Sequence, residues 1–258
     1  MKLKKLISAC ALAASLAVAT SAHAIIASDV VWVIDTSGSM GDDIAQVKAR
    51  IGDFNTAMLN AGIDVNYGLV RFGGTASLIQ NITTFSDFNR SGGPFQLLTA
   101  NGGGTEDGSA AIQVAMGATF RNNVVRNIIL ITDENDDDAA NRAALTAALA
   151  ATSASEFINV IRNPGDDDVT STSIGYYAQL ATDNNGNYFN IVDFRNNGDA
   201  FFTNFINTKV AEIQDFCAAN PTAPECQGNN NNVPEPGTAA LIGIALLGLA
   251  GRRKMRQY

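Results

Sequence analysis

The sequence predicts an α/β fold: a doubly wound, mostly parallel central sheet with one antiparallel edge strand and helices on both faces. Three observations carry this. Strand patterns alternate with helix patterns through residues 25–216, and strands joined through helices pair in parallel with both sheet faces covered. The segment Val124–Glu134, VVRNIILITDE, is apolar on both faces, as the middle of a parallel sheet requires. Two further strand patterns, Asp64–Gly74 and Ser77–Phe85, are separated only by a tight glycine-containing turn. They form a hairpin, which makes one strand antiparallel.

The elements follow in order. Asp29–Ile34 is a buried strand that runs into Asp35 and the small residues Thr36–Ser39. Ile44, Val47, Ile51, Phe54 and Met58 recur at spacings of three and four, the face of an amphipathic helix. After the hairpin, Ser86–Ala100 is polar with room for a short helix. Glycines 102 to 104 precede Thr105 and a helix presenting Ile112, Met116 and Phe120. The central strand is followed by an alanine-rich helix from Ala139 to Ser153, and EFINVIRN is the next strand. Ser173–Thr182 reads as helix, Asn187–Asp193 as the last strand, and Phe202, Ile206, Val210 and Ile213 mark a closing helix. Trp32 lies inside a strand and is expected in the core. There is no internal repeat.

The two ends stand apart from this domain. Met1–Ala24 has lysines at 2, 4 and 5, an apolar run and SAHA, the three parts of a secretory signal peptide. Cys217 to Asn232 is a segment carrying two cysteines and the polar linker QGNNNN. Val233–Tyr258 has a Pro-Glu-Pro turn, an apolar stretch and a basic cluster. The run Thr238–Gly251 is shorter than the roughly 20 residues of a full membrane span, so by itself it reads as a short transmembrane helix and weak anchor. With Pro234, Glu235, Pro236, Gly237, Arg252, Arg253 and Lys254 in this order, the tail resembles the PEP-CTERM sorting signal. That resemblance implies recognition by an exosortase and residence at the cell surface or in the extracellular matrix.

The chain carries 17 basic and 25 acidic residues. The two ends take away seven of the basic residues and one acidic one, so the domain is strongly acidic. Such a domain does not suit nucleic acid or anionic lipid, and only the tail touches a membrane. His23, the single histidine, lies in the leader. Histidine-based catalysis and histidine-ligated zinc are therefore absent from the exported protein. Cys217 and Cys226 read as a disulfide pinning the end of the last helix, the alternative being two free thiols. A loop this short contributes about 2–3 kcal/mol at most.

Ligands of open α/β sheets sit beyond the carboxyl ends of the strands. The donors expected there are Asp35, Ser37 and Ser39 after the first strand, Thr105 in the glycine-rich loop, and Asp133 after the central strand. Carboxylates and hydroxyls without nitrogen or sulfur suit a hard cation: Mg²⁺, with Mn²⁺ or Ca²⁺ as alternatives. Few charged ligands leave a coordination position open. DTSGS, GGTEDGSAAI and ILITDE, in this order, resemble a von Willebrand factor type A domain, a Rossmann-like fold, over Ser28–Phe216. The resemblance implies a metal-ion-dependent adhesion site formed by Asp35, Ser37, Ser39, Thr105 and Asp133. It further implies direct coordination by Ser37, Ser39 and often Thr105, with Asp35 and Asp133 acting largely through water. Glu134 stands where the family usually has glycine, and Asp107 where many members have a second threonine.

Plainer readings exist for the same residues. Ser39 or Asp42 suits the cap of the following helix. The runs Asp136–Asp138 and Asp166–Asp168 suit solvated loop charges rather than calcium ligands. Two functions follow. In the first, an exported, non-enzymatic binding protein engages a protein or exopolysaccharide-matrix ligand whose carboxylate completes the cation shell. In the second, a structural envelope or biofilm-matrix protein uses the cation only to stabilise its fold. A metal-assisted hydrolase is disfavoured by the lack of histidine and of a clear general base, Asp133 with Glu134 being the pair that remains.

Overall fold

A computed structural model describes residues 25–152, 155–162 and 173–227. The leader, the linker from residue 228, the tail in which a short transmembrane helix is expected, and the run Asp166–Asp168 lie outside the described residues. Among the described residues, no helix is long and apolar enough to cross a membrane.

Six strands form one sheet: β1 (Ile26–Asp35), β2 (Ile63–Phe72), β3 (Ser77–Thr83), β4 (Val125–Ile131), β5 (Glu156–Arg162) and β6 (Tyr188–Asn190). Their order is β3-β2-β1-β4-β5-β6. Only the β2–β3 hairpin is antiparallel, and β3 is the edge strand, as the sequence predicts. β1 lies between β2 and β4, which is why nearly all of it is buried.

The two faces of the sheet divide by strand alternation. Val30, Trp32 and Ile34 of β1, with Ile129 and Ile131 of β4, build one core layer. Val31, Val33, Ile128 and Leu130 build the other. The first layer is covered by α1 (Gly41–Asn60) through Val47 and Phe54, and by α8 (Gly198–Ala219) through Phe205 and Ile213. Two short helices, α2 (Phe85–Phe88) and α3 (Pro94–Leu97), add the stacked pair Phe88–Phe95. The second layer is covered by α4 (Gly108–Met116), α5 (Ala139–Leu149) and α6 (Ser173–Asp183), through residues such as Ile112, Leu145 and Tyr177. Trp32 is fully buried and meets Phe54 edge-on at 5.4 Å, so it is core.

Of the boundaries that differ from expectation, two change how apolar residues reach the core. The last strand stops at Asn190, and Ile191–Asn196 is a helix, α7. The Asn190 side chain accepts from the Val192 backbone N–H at 2.9 Å, an N-cap that starts a helix inside an apolar run that reads equally well as strand. α4 ends at Met116, before Gly117, so Phe120 joins the same apolar layer from the following loop rather than from the helix.

Cys217, in the last turn of α8, is bonded to Cys226, their Cα atoms 5.1 Å apart. Cys226 packs against the first core layer, and the Ser155 hydroxyl donates to Glu225 at 3.1 Å. The chain leaving α8 is thereby held on the domain.

Candidate metal centre

Asp35 is the last residue of β1 and is fully buried. Both of its oxygens accept from protein donors. Oδ1 takes the Ser37 backbone N–H at 2.8 Å, and Oδ2 takes the Thr132 hydroxyl at 2.7 Å. Burial lifts this carboxyl above its usual range, against the lowering effect of those bonds. The turn that follows brings the hydroxyls of Ser37 and Ser39 to 3.3 Å from one another. Ser39 then donates to Asp133 Oδ1 at 3.0 Å. Ser39 does not cap α1: the N-cap position is Met40, without a side-chain bond.

The glycine-rich loop is stitched through its backbone to the turn after β1 and to the β2–β3 turn. Gly102 N–H donates to Thr36 O at 2.7 Å, Gly103 N–H to Gly73 O at 3.0 Å, and Gly74 N–H to Thr105 O at 2.7 Å. These contacts need glycine. A Cβ on Gly102 would stand 2.6 Å from Gly73 O, and Gly73 has φ +101° with Ser37 N 2.9 Å from where its Cβ would be. The structure thus links Asp35, Ser37, Ser39 and Asp133 by hydrogen bonds. The Thr105 side chain is exposed and makes no hydrogen bond to the other four.

The spacing can be compared with a coordination shell. Oxygens about 2.1 Å from an octahedral Mg²⁺ stand about 3 Å apart along each edge. The Ser37–Ser39 and Ser39–Asp133 separations, 3.3 and 3.0 Å, fit that edge. The donors are all oxygen, the chemistry of Mg²⁺, Mn²⁺ and Ca²⁺. Among the described residues, no group of three or more His, Cys, Asp and Glu side chains is arranged as a ligand set. This centre depends on serine hydroxyls beside its carboxylates.

The neighbouring acidic residues are engaged elsewhere. Asp107 caps α4, accepting from the Ala110 N–H at 2.8 Å, and also pairs with Asn141. Asp138 caps α5 through the Ala140 N–H at 2.7 Å, and Asp137 accepts from the Glu106 N–H at 2.8 Å. Asp136 departs from the solvated loop charge expected of this run. It is buried and accepts from the Ser109 N–H at 2.9 Å, from the Ser109 hydroxyl and from the Tyr177 hydroxyl at 3.4 Å. Glu106 is partly buried. Desolvation, followed by the charges of Asp35, Glu134, Asp137 and Asp133, pushes its carboxyl up to about 7.

Arg195, from α7, is the residue that sequence reasoning misses. Its Nη2 donates to Asp133 Oδ2 at 2.7 Å and to Asp43 Oδ2 at 2.5 Å. Hydrogen bonding to Asp43 is the main reason that the guanidinium is held above its ordinary pKa. The strand-end rule applied to β6 points to this stretch, but the strand read through Asp193 hides the helix that carries Arg195.

Fold and centre together define a class: a doubly wound α/β domain with an all-oxygen donor cluster beyond its strand ends. The chain belongs to the von Willebrand factor type A domain family, which matches residues 29–215. Residues 232–254 match the PEP-CTERM protein-sorting motif, which implies exosortase processing and an exported, surface-associated protein. No curated protein matches the chain in sequence. Among solved structures it is similar to a von Willebrand factor type A protein from Catenulispora acidiphila. The identity is 15% over 72% of this chain and 42% of that one, with a TM-score of 0.50. It is also similar to the conserved hypothetical protein BatB from Bacteroides thetaiotaomicron, at 21% identity over 63% and 89% of the two chains and a TM-score of 0.45. A third is an aerotolerance-related membrane protein from Bacteroides fragilis, at 21% identity over 69% and 98% and a TM-score of 0.44. At 15% identity the likeness to the first bears on the fold alone.

Proposed function

We propose that this surface-associated protein is a non-enzymatic binding module. Ser37, Ser39, Thr105, Asp35 and Asp133 hold a divalent cation, Mg²⁺ by donor chemistry. The cation takes a carboxylate from a protein or exopolysaccharide-matrix ligand in its open position. Ser37, Ser39 and Asp133 would supply oxygens, and Asp35 would act as a fixed acceptor behind them. The carrying observation is the run of three oxygens from two strand-end loops at octahedral-edge spacing. The purely structural reading has less support, because Asp35 already accepts from the Ser37 N–H and the Thr132 hydroxyl, and the glycine loop is already tied to Thr36 and Gly73. The enzymatic reading finds one proton acceptor in the right range, Glu106, whose carboxylate makes no side-chain hydrogen bond to a nucleophile among the described residues.

The test is calorimetric titration of the purified, disulfide-intact protein with Mg²⁺, Mn²⁺ and Ca²⁺, with Ser37→Ala beside it. The Ser37 hydroxyl lies 3.3 Å from that of Ser39, and Asp35 keeps the Ser37 backbone N–H in the variant, so this change removes a donor with little effect on the fold. Saturable binding that weakens at least tenfold in the variant supports the reading. Binding that survives unchanged places the cation elsewhere and overturns it.

A further inference from the structure

Asp43 and Asp133 reach the centre from different parts of the chain. Asp43 lies in the first turn of α1, where the helix dipole favours a carboxylate, and is almost fully buried. Asp133 follows β4 and is 6% exposed. One guanidinium serves both. Besides the two Nη2 contacts, Arg195 Nε donates to the two oxygens of Asp43 at 3.1 and 3.0 Å. Among the described residues, no other side-chain cation forms an ion pair with either carboxylate. Arg195 also borders an open cavity of about 640 Å³, shared with Ser39, Asp42, Gln46 and Arg50.

Two effects follow from this placement, and they act in the same direction. A carboxylate that gives Oδ2 to a guanidinium has less charge to offer a cation at Oδ1. The guanidinium also repels a divalent ion a few ångströms away, by an energy large enough to change affinity about tenfold or more.

We propose that Arg195 is a built-in counter-cation that sets the divalent-cation affinity of the centre: by holding Asp133 through Oδ2, it keeps that affinity low. The inference rests on the cation site proposed above. Asp43 is the opposing arm. By binding Arg195 through both oxygens, it limits how far the guanidinium commits to Asp133.

The two arms predict opposite signs. Purified wild-type protein, Arg195→Gln and Asp43→Asn are titrated with Mg²⁺ and Mn²⁺ by calorimetry. Each is also melted without added cation and with saturating Mg²⁺. Arg195→Gln is expected to bind about tenfold more tightly or better. It should melt lower than wild type without cation, because Asp43 loses its partner, and gain more on adding Mg²⁺. Asp43→Asn removes the competing negative charge, so that Asp133 is the one carboxylate left to the guanidinium, and is expected to bind several-fold more weakly. If wild type binds and Arg195→Gln binds equally or more weakly, the inference is overturned while the cation site stands. If none of the three binds, the cation site itself fails, and this inference with it. If Arg195→Gln does not fold, Asp43→Asn decides: unchanged or tighter binding there overturns the proposal.

Discussion

β1 carries a buried aspartate near each end, and the fold treats the two in opposite ways. Asp29, toward the amino end, is closed off by one arginine. Its oxygens accept from the Arg121 backbone N–H and from Nε, both at 2.7 Å. The rest of that guanidinium is used by Asp64 Oδ2 and by the carbonyls of Ser28 and Asp64. Asp35, at the carboxyl end, has only neutral donors, a backbone N–H and a hydroxyl. Arg195, at this end of the sheet, is bound to Asp133 and Asp43 instead. Burial raises both carboxyls. One end spends its arginine on locking the sheet, and the other leaves a negative, hydroxyl-rich centre. A buried aspartate on a strand is therefore not informative by itself; the charge of its partners decides its role.

The comparison is broken most severely at the closed end. Arg121→Ala strands Asp29 without a counter-charge and should cost about 3–5 kcal/mol in urea unfolding, with cation affinity unchanged in the protein that remains folded. At the other end the balance reverses. Asp35→Ala leaves the Thr132 hydroxyl and the Ser37 N–H without their acceptor, which should cost about 1–3 kcal/mol. Cation binding should be lost completely by calorimetry. Equal stability losses at the two ends, with binding intact, would erase the distinction. Gly102→Ala tests whether the loops must touch. Its methyl group meets Gly73 O and Thr36 at 2.6–2.9 Å, so we expect a loss of about 1–3 kcal/mol and weaker cation binding, both read from one set of melts with and without Mg²⁺.

The smallest effect sharpens the closed end. Glu156 begins β5 opposite Arg126 of β4 and is buried. Burial raises its carboxyl despite the Arg126 charge. The folded protein therefore holds this proton more tightly than the unfolded chain. Stability is lost as pH rises from the unfolded carboxylate range, about 4.3, through the higher folded value. Glu156→Gln should flatten that decline, measured as unfolding midpoints from about pH 4 to pH 7. A steeper decline in the variant would contradict the assignment.

Much of the fold is legible in the sequence because its signals are local. β1 and β4 are apolar on both faces, the face of α1 repeats at three and four, and the hairpin turn is short enough to force an antiparallel pair. The Asp35–Ser39 half of the centre is legible for the same reason, since one turn contains it. Arg195 and Asp43 are not, because they lie 152 residues apart and only folding brings them together. Asp136 is hidden in the same way: its burial depends on Ser109 and Tyr177, donors on two other helices. The helix at Ile191 is missed because a single capping asparagine outweighs an apolar pattern that suits either element.

The bond between Cys217 and Cys226 has a mechanical meaning. Any pull on the chain beyond residue 227 enters the domain at Cys226 and passes through sulfur to Cys217 on α8. The residues between the two cysteines lie outside that load path. Tension cannot peel them away and so cannot lengthen the tether. The last turn of α8 is shielded from fraying, and force arrives as a tug on a helix already wedged against the sheet by Phe205 and Ile213. A protein held at a surface by its C-terminal side would thus meet drag with a stiff attachment point rather than an unravelling one.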